Sequence, residues 1–218
     1  MNTLAVYCAD IGSVKAGHFG WARLCAGASS EFSGIRDSPG GLAAEVAKDL
    51  RLGHPVALGF ECPLFVPLPE EPTALTAARP GEGDRPWSAG AGAACLATGL
   101  TETIWILERI KGALDRPSNA FLNWGEFQRA GSGLFLWEAF VTKAAKRSSH
   151  QNDAEAAVEY FDSLFPNIAE SNAIQCTRVR SLIGAALLQA RWSTDLRLLE
   201  TPCVVLRVDS PQISNTSL

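Results

Sequence analysis

The feature that most constrains this fold lies at residues 4–22, where an apolar run ends in Asp10, a glycine-bearing turn follows and a second apolar run begins. The pattern predicts two strands, at residues 4–10 and 19–26, joined as a hairpin. A carboxylate at the end of a hydrophobic strand is costly to desolvate unless a positive group meets it. Asp10 therefore predicts a site at that end of the strand.

Composition places the chain among ordinary globular proteins, with 218 residues, 47% apolar and 19% charged. We expect one domain over residues 1–208, with a long proline-rich insertion at 63–88 and a polar tail at 209–218. No apolar run is long enough for a membrane span, and no basic-then-apolar leader is visible, so a cytoplasmic protein is expected. Six cysteines without metal-ligand spacing are typical of buried thiols.

The first half of the chain predicts a strand–helix–strand crossover. Ser38 and Pro39 resemble a helix start, and Leu42, Val46 and Leu50 mark one apolar face of the helix that follows. Residues 55–61 form another apolar run, and it ends in Glu61. A crossover of this kind makes the new strand parallel to the first. Residues 31–35 are a candidate for an additional short strand.

The second half alternates helical and strand-like patterns. Residues 63–86 contain six prolines and are predicted as a long loop, and residues 115–133 are predicted as irregular. Helices are expected at about 90–114, 151–165 and 178–191, a buried strand at 134–141 and an edge strand at 203–208. In the first of these helices the predicted buried face consists of Leu96, Leu100, Ile104, Leu107 and Leu114. This order predicts an α/β fold with a mixed sheet and helices on its faces.

Two acids should meet at one edge of this sheet, because Asp10 and Glu61 each end a strand and the strands are predicted to be parallel neighbours. His150 and Asp153 lie three residues apart on a predicted helix and could face the same site. Carboxylates within ~5 Å of each other repel by roughly 3 kcal/mol per pair at an effective dielectric constant of 20, so a cation or bound protons must accompany them. Oxygen ligands with one imidazole favour Mg²⁺ or Mn²⁺ over zinc.

Each residue also has an ordinary structural interpretation. Asp10 could begin a turn, and Glu61 could be an exposed strand end. Asp153 could be an acid that stabilises a helix N-terminus, and His150 could be a surface or capping residue. One topology would bring all four of these residues together. That convergence favours a shared functional site over four separate structural roles.

The predicted topology resembles the ribonuclease-H-like fold, a mixed five-stranded sheet flanked by helices. Residues 9–22, ADIGSVKAGHFGWA, resemble the first hairpin of this superfamily, especially of its Holliday-junction-resolvase (RuvC-like) branch. In that branch a Glu ends the fourth strand, as Glu61 does here, and the last helix carries an acid or His three residues before an Asp, as in His150 and Asp153. The chain also resembles a group of predicted nucleases of this fold, in which an Arg-rich loop follows the strand-four acid, as at residues 79–88.

The resemblance implies a nuclease that hydrolyses phosphodiester bonds with two Mg²⁺ or Mn²⁺ ions. Asp10 would be shared between the two ions, and Glu61, Asp153 and His150 would complete their coordination. The substrate would be DNA or RNA, and a homodimer is allowed because junction resolvases act as dimers.

The resemblance also implies a surface that contacts the substrate. Phosphate contacts are expected from Lys15, Arg79 and Arg85, and stacking on a base from Trp87. The alternative for these four residues is a solvated loop with one anchoring tryptophan. Glu138, within the buried strand, is either a structurally paired acid or a further ligand.

Two other functions remain open. The DIGS sequence before a glycine-bearing hairpin also occurs in the phosphate-binding turn of the actin, sugar-kinase and Hsp70 superfamily, which would make the chain a nucleotide-dependent phosphotransferase. Those proteins close two such domains around ATP, and 218 residues with no internal repeat leave little room for a second. A non-catalytic interaction module that keeps the fold is the other alternative.

Overall fold

A computed structural model describes residues 3–26, 38–83, 87–89 and 92–209. Its eight described strands are, in chain order, β1 (Ala5–Asp10), β2 (Gly20–Cys25), β3 (Val56–Glu61), β4 (Phe65–Pro67), β5 (Ala120–Phe121), β6 (Leu134–Val141), β7 (Val179–Ser181) and β8 (Val204–Val208). Its five described α-helices are α1 (Pro39–Arg51), α2 (Ala93–Gly112), α3 (Trp124–Ala130), α4 (His150–Leu164) and α5 (Leu182–Gln189).

The main sheet is mixed, as the sequence predicts. Its strands lie in the order β2-β1-β3-β6, and β5 and β8 both pair with β6. Among the described strands of this sheet, only the β1–β2 hairpin is antiparallel, and the other pairs are parallel. Six described strands, rather than the predicted five, form this sheet because the two-residue strand β5 adds one. The candidate strand at residues 31–35 lies outside the described residues.

The crossover from β1 through α1 to β3 confirms the predicted parallel pair. The Ser38 hydroxyl accepts a hydrogen bond from the backbone N–H of Gly41 at 3.0 Å and so caps α1. After α1, Gly53 adopts a φ of 80°, a left-handed conformation that glycine reaches without strain. The β1–β3 register then places Asp10 directly opposite Glu61.

Helices cover both faces of the sheet because successive strand residues point to opposite sides. One hydrophobic cluster packs α1, α2 and α5 against the face that includes Leu58, Phe60 and Leu136. The other packs α3 and α4 against the face that includes Ala57, Phe135 and Trp137. Within the part of the chain that the structure describes, no helix combines the length and apolar character needed to cross a membrane.

The buried face of α2 differs from the predicted one. The residues that it buries are Gly99, Thr103, Ile106, Leu107 and Ile110, whereas Leu100 is exposed. A Cβ on Gly99 would lie 2.5 Å from the sulfur of Cys62, so the helix approaches the sheet at a point where no side chain fits. The small residues Gly99 and Thr103 therefore face the sheet, and part of the leucine stripe turns outward.

Two further segments correct the sequence prediction. The stretch expected to be irregular contains β5 and α3, and Asn123 caps α3 by accepting a hydrogen bond from the Glu126 N–H. The helix expected from residue 178 begins only at Leu182, because Ser181 is its N-cap and Val179–Ser181 pairs with β4 as a separate two-stranded sheet. The proline-rich segment is thus partly ordered by β4.

An ion pair ties the proline-rich segment to the sheet. Glu138 in β6 is the register partner of Phe60, so it projects from the face opposite Glu61. Arg79 contacts both carboxylate oxygens of Glu138, with Nη2–Oε1 at 2.5 Å and Nη1–Oε2 at 3.0 Å, and its Nε donates to Glu82 at 2.9 Å. Arg79 is only 1% exposed. Glu138 is therefore a structurally paired acid. The expectation that Arg79 contacts phosphate is wrong.

We expect the substitution Arg79→Met to lower the free energy of unfolding by about 3–5 kcal/mol, because it leaves two buried carboxylates without their cation. Urea denaturation followed by circular dichroism measures the change. Arg178→Met is the matched control, since Arg178 pairs with Glu70 in an exposed contact, and it should change stability little. Equal stability of the two variants would contradict the structural role of Arg79.

A second polar network joins α1 to the β1–β2 hairpin. The Tyr7 hydroxyl donates to Asp49 Oδ2 at 2.5 Å, and Arg23 Nη2 donates to the same oxygen at 3.0 Å. Burial opposes ionisation of Asp49, but the hydrogen bonds from Tyr7 and Arg23 outweigh it and lower the pKa of the Asp49 carboxyl. The ionised form of Asp49 therefore stabilises the fold.

We expect Asp49→Asn to lower the free energy of unfolding by roughly 1.5–3 kcal/mol at neutral pH, which is the usual contribution of hydrogen bonds to a charged group. Because the pKa of Asp49 is lowered in the folded state, the advantage of the wild type is complete above the unfolded pKa of about 3.9. The advantage of the wild type disappears as the pH falls through the lower pKa that Asp49 has in the folded state. Urea unfolding at pH 7 and pH 3 tests this, with the exposed Glu108→Gln as control. A gap that is equally large at both pH values would contradict the prediction.

Candidate metal centre

Asp10 and Glu61 stand side by side where β1 and β3 end. The two residues are register partners in adjacent parallel strands, so their side chains leave the same face at the same edge of the sheet. Both are buried. The carboxyl edge of a parallel sheet is where open α/β folds bind ligands.

Helix α4 brings the third acid to this edge. Ser149 caps the helix by accepting a hydrogen bond from Asn152 N–H, and Asp153 lies in the first turn. Gly20, the register partner of Asp10, lets this turn come very close to β2, since a Cβ on Gly20 would lie 2.4 Å from the Gln151 nitrogen. The absence of a side chain at Gly20 therefore allows the helical turn that carries Asp153 to pack closely against β2.

The three acids converge as the sequence predicts. One carboxylate oxygen from each of Asp10, Glu61 and Asp153 lies within 4.8 Å of the other two. Two unit charges at this separation repel by roughly 3 kcal/mol at an effective dielectric constant of 20. The cluster therefore needs compensation by a cation or by protons.

Lys146 provides a cation that the sequence analysis missed. Its Nζ lies 2.6 Å from Glu61 Oε1, 3.0 Å from Asp153 Oδ2 and 3.6 Å from Asp10 Oδ2. The loop at residues 142–149 that carries it contains three basic residues and no acid. This excess of positive charge next to the helix that carries Asp153 was the sequence signal that could have identified Lys146.

Burial and mutual repulsion dominate the electrostatics of the acids. Burial, followed by the charge of Asp10, raises the pKa of Glu61 well above its ordinary value. Burial also raises the pKa of Asp10, although Lys146 and His150 oppose that rise. For Lys146 the neighbouring carboxylates outweigh burial and raise the pKa of its ammonium. The cluster therefore favours uptake of positive charge.

Two neighbouring groups hold the acids in orientation. His150 Nδ1 lies 2.6 Å from Asp10 Oδ2, and its ring packs against that of His18 with centroids 5.4 Å apart. The backbone N–H of Arg147 donates to Asp153 Oδ1 at 2.5 Å. His150 was expected as a ligand, and the structure places it beside Asp10 as a hydrogen-bond partner.

The residues expected to contact nucleic acid do not form one surface. Lys15 is exposed in the turn that follows Asp10, while Arg79 is buried behind the sheet. Trp87 is half-buried and stacks on Phe140 with centroids 5.7 Å apart, which agrees with an anchoring role. Arg85 lies outside the described residues.

The cluster fits a hard divalent cation. All three groups offer carboxylate oxygens, the ligands that Mg²⁺ and Mn²⁺ prefer. Glu61 Oε2 is buried and has no hydrogen-bond partner among the described residues, so this carboxylate of the cluster retains a free acceptor. A metal ion would satisfy that oxygen and reduce the repulsion.

The chain matches no known protein-family model, and no curated protein or solved structure is similar enough to be matched to it. The ribonuclease-H-like resemblance therefore stays a prediction that depends on short motifs around Asp10, Glu61 and Asp153. The chemistry of these side chains supplies the functional argument.

We expect Gly20→Ala to weaken Mn²⁺ binding, because the added methyl group pushes the first turn of α4, and with it Asp153, away from β1. Isothermal titration calorimetry measures the affinity, and thermal unfolding should show a lower midpoint as well. The control is Gly112→Ala, since a Cβ at Gly112 has no neighbour within 4 Å. Unchanged Mn²⁺ affinity in Gly20→Ala would contradict the proposed link between this contact and the site.

Proposed function

We propose that this chain is a divalent-metal-dependent nuclease that hydrolyses phosphodiester bonds of DNA or RNA. The observation that carries the proposal is the convergence of Asp10, Glu61 and Asp153 from three separate segments. Three buried carboxylates are an expensive arrangement for a structural protein to maintain. Metal-dependent phosphodiester hydrolysis is a reaction that uses such a cluster.

Mg²⁺ or Mn²⁺ would be held by Asp10, Glu61 and Asp153. When bound, the metal supplies Lewis acidity to a phosphoryl oxygen and makes the attacking water more acidic. His150 fixes the orientation of the Asp10 carboxylate through Nδ1, and the Arg147 backbone N–H fixes that of Asp153. These contacts hold the ligands in place before substrate arrives, which lowers the cost of assembling the site.

The surroundings of the cluster favour an anionic substrate. The turn at residues 11–19 contains Lys15 and His18, and the loop at 142–149 contains three cations, with no acid in either segment. These are the connections that adjoin Asp10 and Asp153. Local positive charge next to the site attracts phosphate groups even though the formal net charge of the chain is −4.

A second candidate function is a non-catalytic module that keeps the same fold. Lys146 already contacts all three acids, so the cluster can be a structural ion-pair network without any metal. The two functions differ in one property that can be measured directly. The nuclease binds Mn²⁺ through the acids, whereas the structural network does not.

We expect Asp10→Asn to abolish Mg²⁺- or Mn²⁺-dependent cleavage while the protein stays folded. The assay offers single-stranded, duplex and four-way-junction DNA and single-stranded RNA, each with Mg²⁺, with Mn²⁺ or with EDTA. Glu108→Gln, which removes an exposed acid on α2, is the control and should cleave like the wild type. Circular dichroism checks that both variants are folded.

Equal cleavage by Asp10→Asn and the wild type would remove Asp10 from the reaction. Cleavage that persists in EDTA would exclude a metal-dependent mechanism. No cleavage of any substrate, together with no Mn²⁺ binding, would favour the non-catalytic module.

A further inference from the structure

Lys146 occupies the centre of the acid cluster. Its ammonium is within 3.6 Å of one oxygen from each of Asp10, Glu61 and Asp153. One carboxylate oxygen from each of the same three acids lies within 4.8 Å of the other two. A cation bound by all three carboxylates would need the same space. Lys146 and a metal ion therefore cannot both remain there.

The ammonium compensates the cluster incompletely. It brings one positive charge to three carboxylates, and Glu61 Oε2 is left buried without a hydrogen-bond partner among the described residues. His150 contacts only Asp10 in this group. A divalent cation would bring more charge and a coordination site for the remaining oxygen.

The side chain of Lys146 is able to leave. It is 37% exposed, lies on the loop between β6 and α4, and carries its charge on a flexible four-carbon stem. Arg79 on the other face of the sheet differs in each respect, because it is fully buried and binds both Glu138 and Glu82. Arg79 is thus a fixed structural partner, and Lys146 is an exchangeable one.

We propose that Lys146 is a built-in counter-cation, which occupies the acid cluster in the metal-free protein and is displaced when a divalent cation binds. The inference rests on the proposed function, since it concerns the same metal centre. Lys146 keeps the metal-free chain stable by screening the carboxylates from one another. For the same reason it competes with the metal and lowers the apparent affinity of the site.

The first test is Mn²⁺ titration of the full-length variant Lys146→Met by calorimetry, with thermal unfolding in EDTA alongside. Methionine keeps much of the side-chain length and removes the charge. We expect Mn²⁺ to bind about 10-fold more tightly, within the usual range of coupling between two ligands, and the metal-free midpoint to fall. Lys143→Met is the matched control, because it removes an exposed charge from the same loop and should change neither quantity.

The second test uses the wild-type protein and so does not depend on how the variant folds. Acetylation of lysines by a short pulse of an amine-reactive ester, read by peptide mass spectrometry, reports how free each amine is. Lys146 should react slowly in EDTA and faster with saturating Mn²⁺, whereas Lys143 should react equally in both. Unchanged or slower reaction of Lys146 with Mn²⁺ overturns the inference.

The outcomes separate the inference from the proposed function. Mn²⁺ binding to the wild type that is unchanged or weaker in Lys146→Met overturns the inference and leaves the nuclease proposal standing. Binding to Lys146→Met alone supports the inference in its strongest form. Failure of both proteins to bind Mn²⁺ overturns the metal centre, and the inference with it.

Discussion

Three carboxylates share a small buried space at the carboxyl edge of the sheet, and the surrounding structure depends on compensating their charge. Backbone pairing fixes Asp10 and Glu61 as neighbours, so neither can move apart without breaking the β1–β3 register. Asp153 is held by the Arg147 N–H at the start of α4. Because strand pairing keeps Asp10 and Glu61 side by side, their repulsion is relieved either by a cation that enters the cluster or by protons that the acids bind.

The two faces of the sheet meet this electrostatic requirement differently. On one face, Glu138 is bound through both oxygens by Arg79, and both side chains are fully buried. The planar guanidinium of Arg79 matches the carboxylate of Glu138 through paired hydrogen bonds. On the other face, Lys146 is a single partly exposed ammonium among three acids. The first arrangement is complete as a structural element, while the second leaves capacity for a ligand.

The packing of α4 against the sheet also positions one acid of the cluster. The short distance between α4 and β2 exists because Gly20 has no side chain, and it brings the first turn of the helix over the end of β1. The hydrophobic residues of α4, among them Ala154, Ala157 and Phe161, hold the helix against the sheet. Asp153 therefore reaches the acids of the sheet through the same contact that buries the apolar face of its helix.

Local patterns predicted a large part of this site. Strand–helix–strand order with an acid at each strand end was enough to place Asp10 beside Glu61, because a crossover makes neighbouring strands parallel. Spacing of three residues on a helix was enough to group His150 with Asp153. The errors arose where a partner is distant in sequence. Arg79 had the appearance of a solvated loop residue, and its burial depends on Glu138, which is 59 positions away.

The amino-acid sequence by itself determined the mixed α/β sheet and the edge at which its acids gather, because hydrophobic periodicity and chain order act through local geometry. Only the tertiary structure decided which cations meet those acids. It directed Lys146 into the cluster and Arg79 to the opposite face. The physical reason is that long basic side chains are flexible, so their partners are selected by burial and charge after the backbone has assembled.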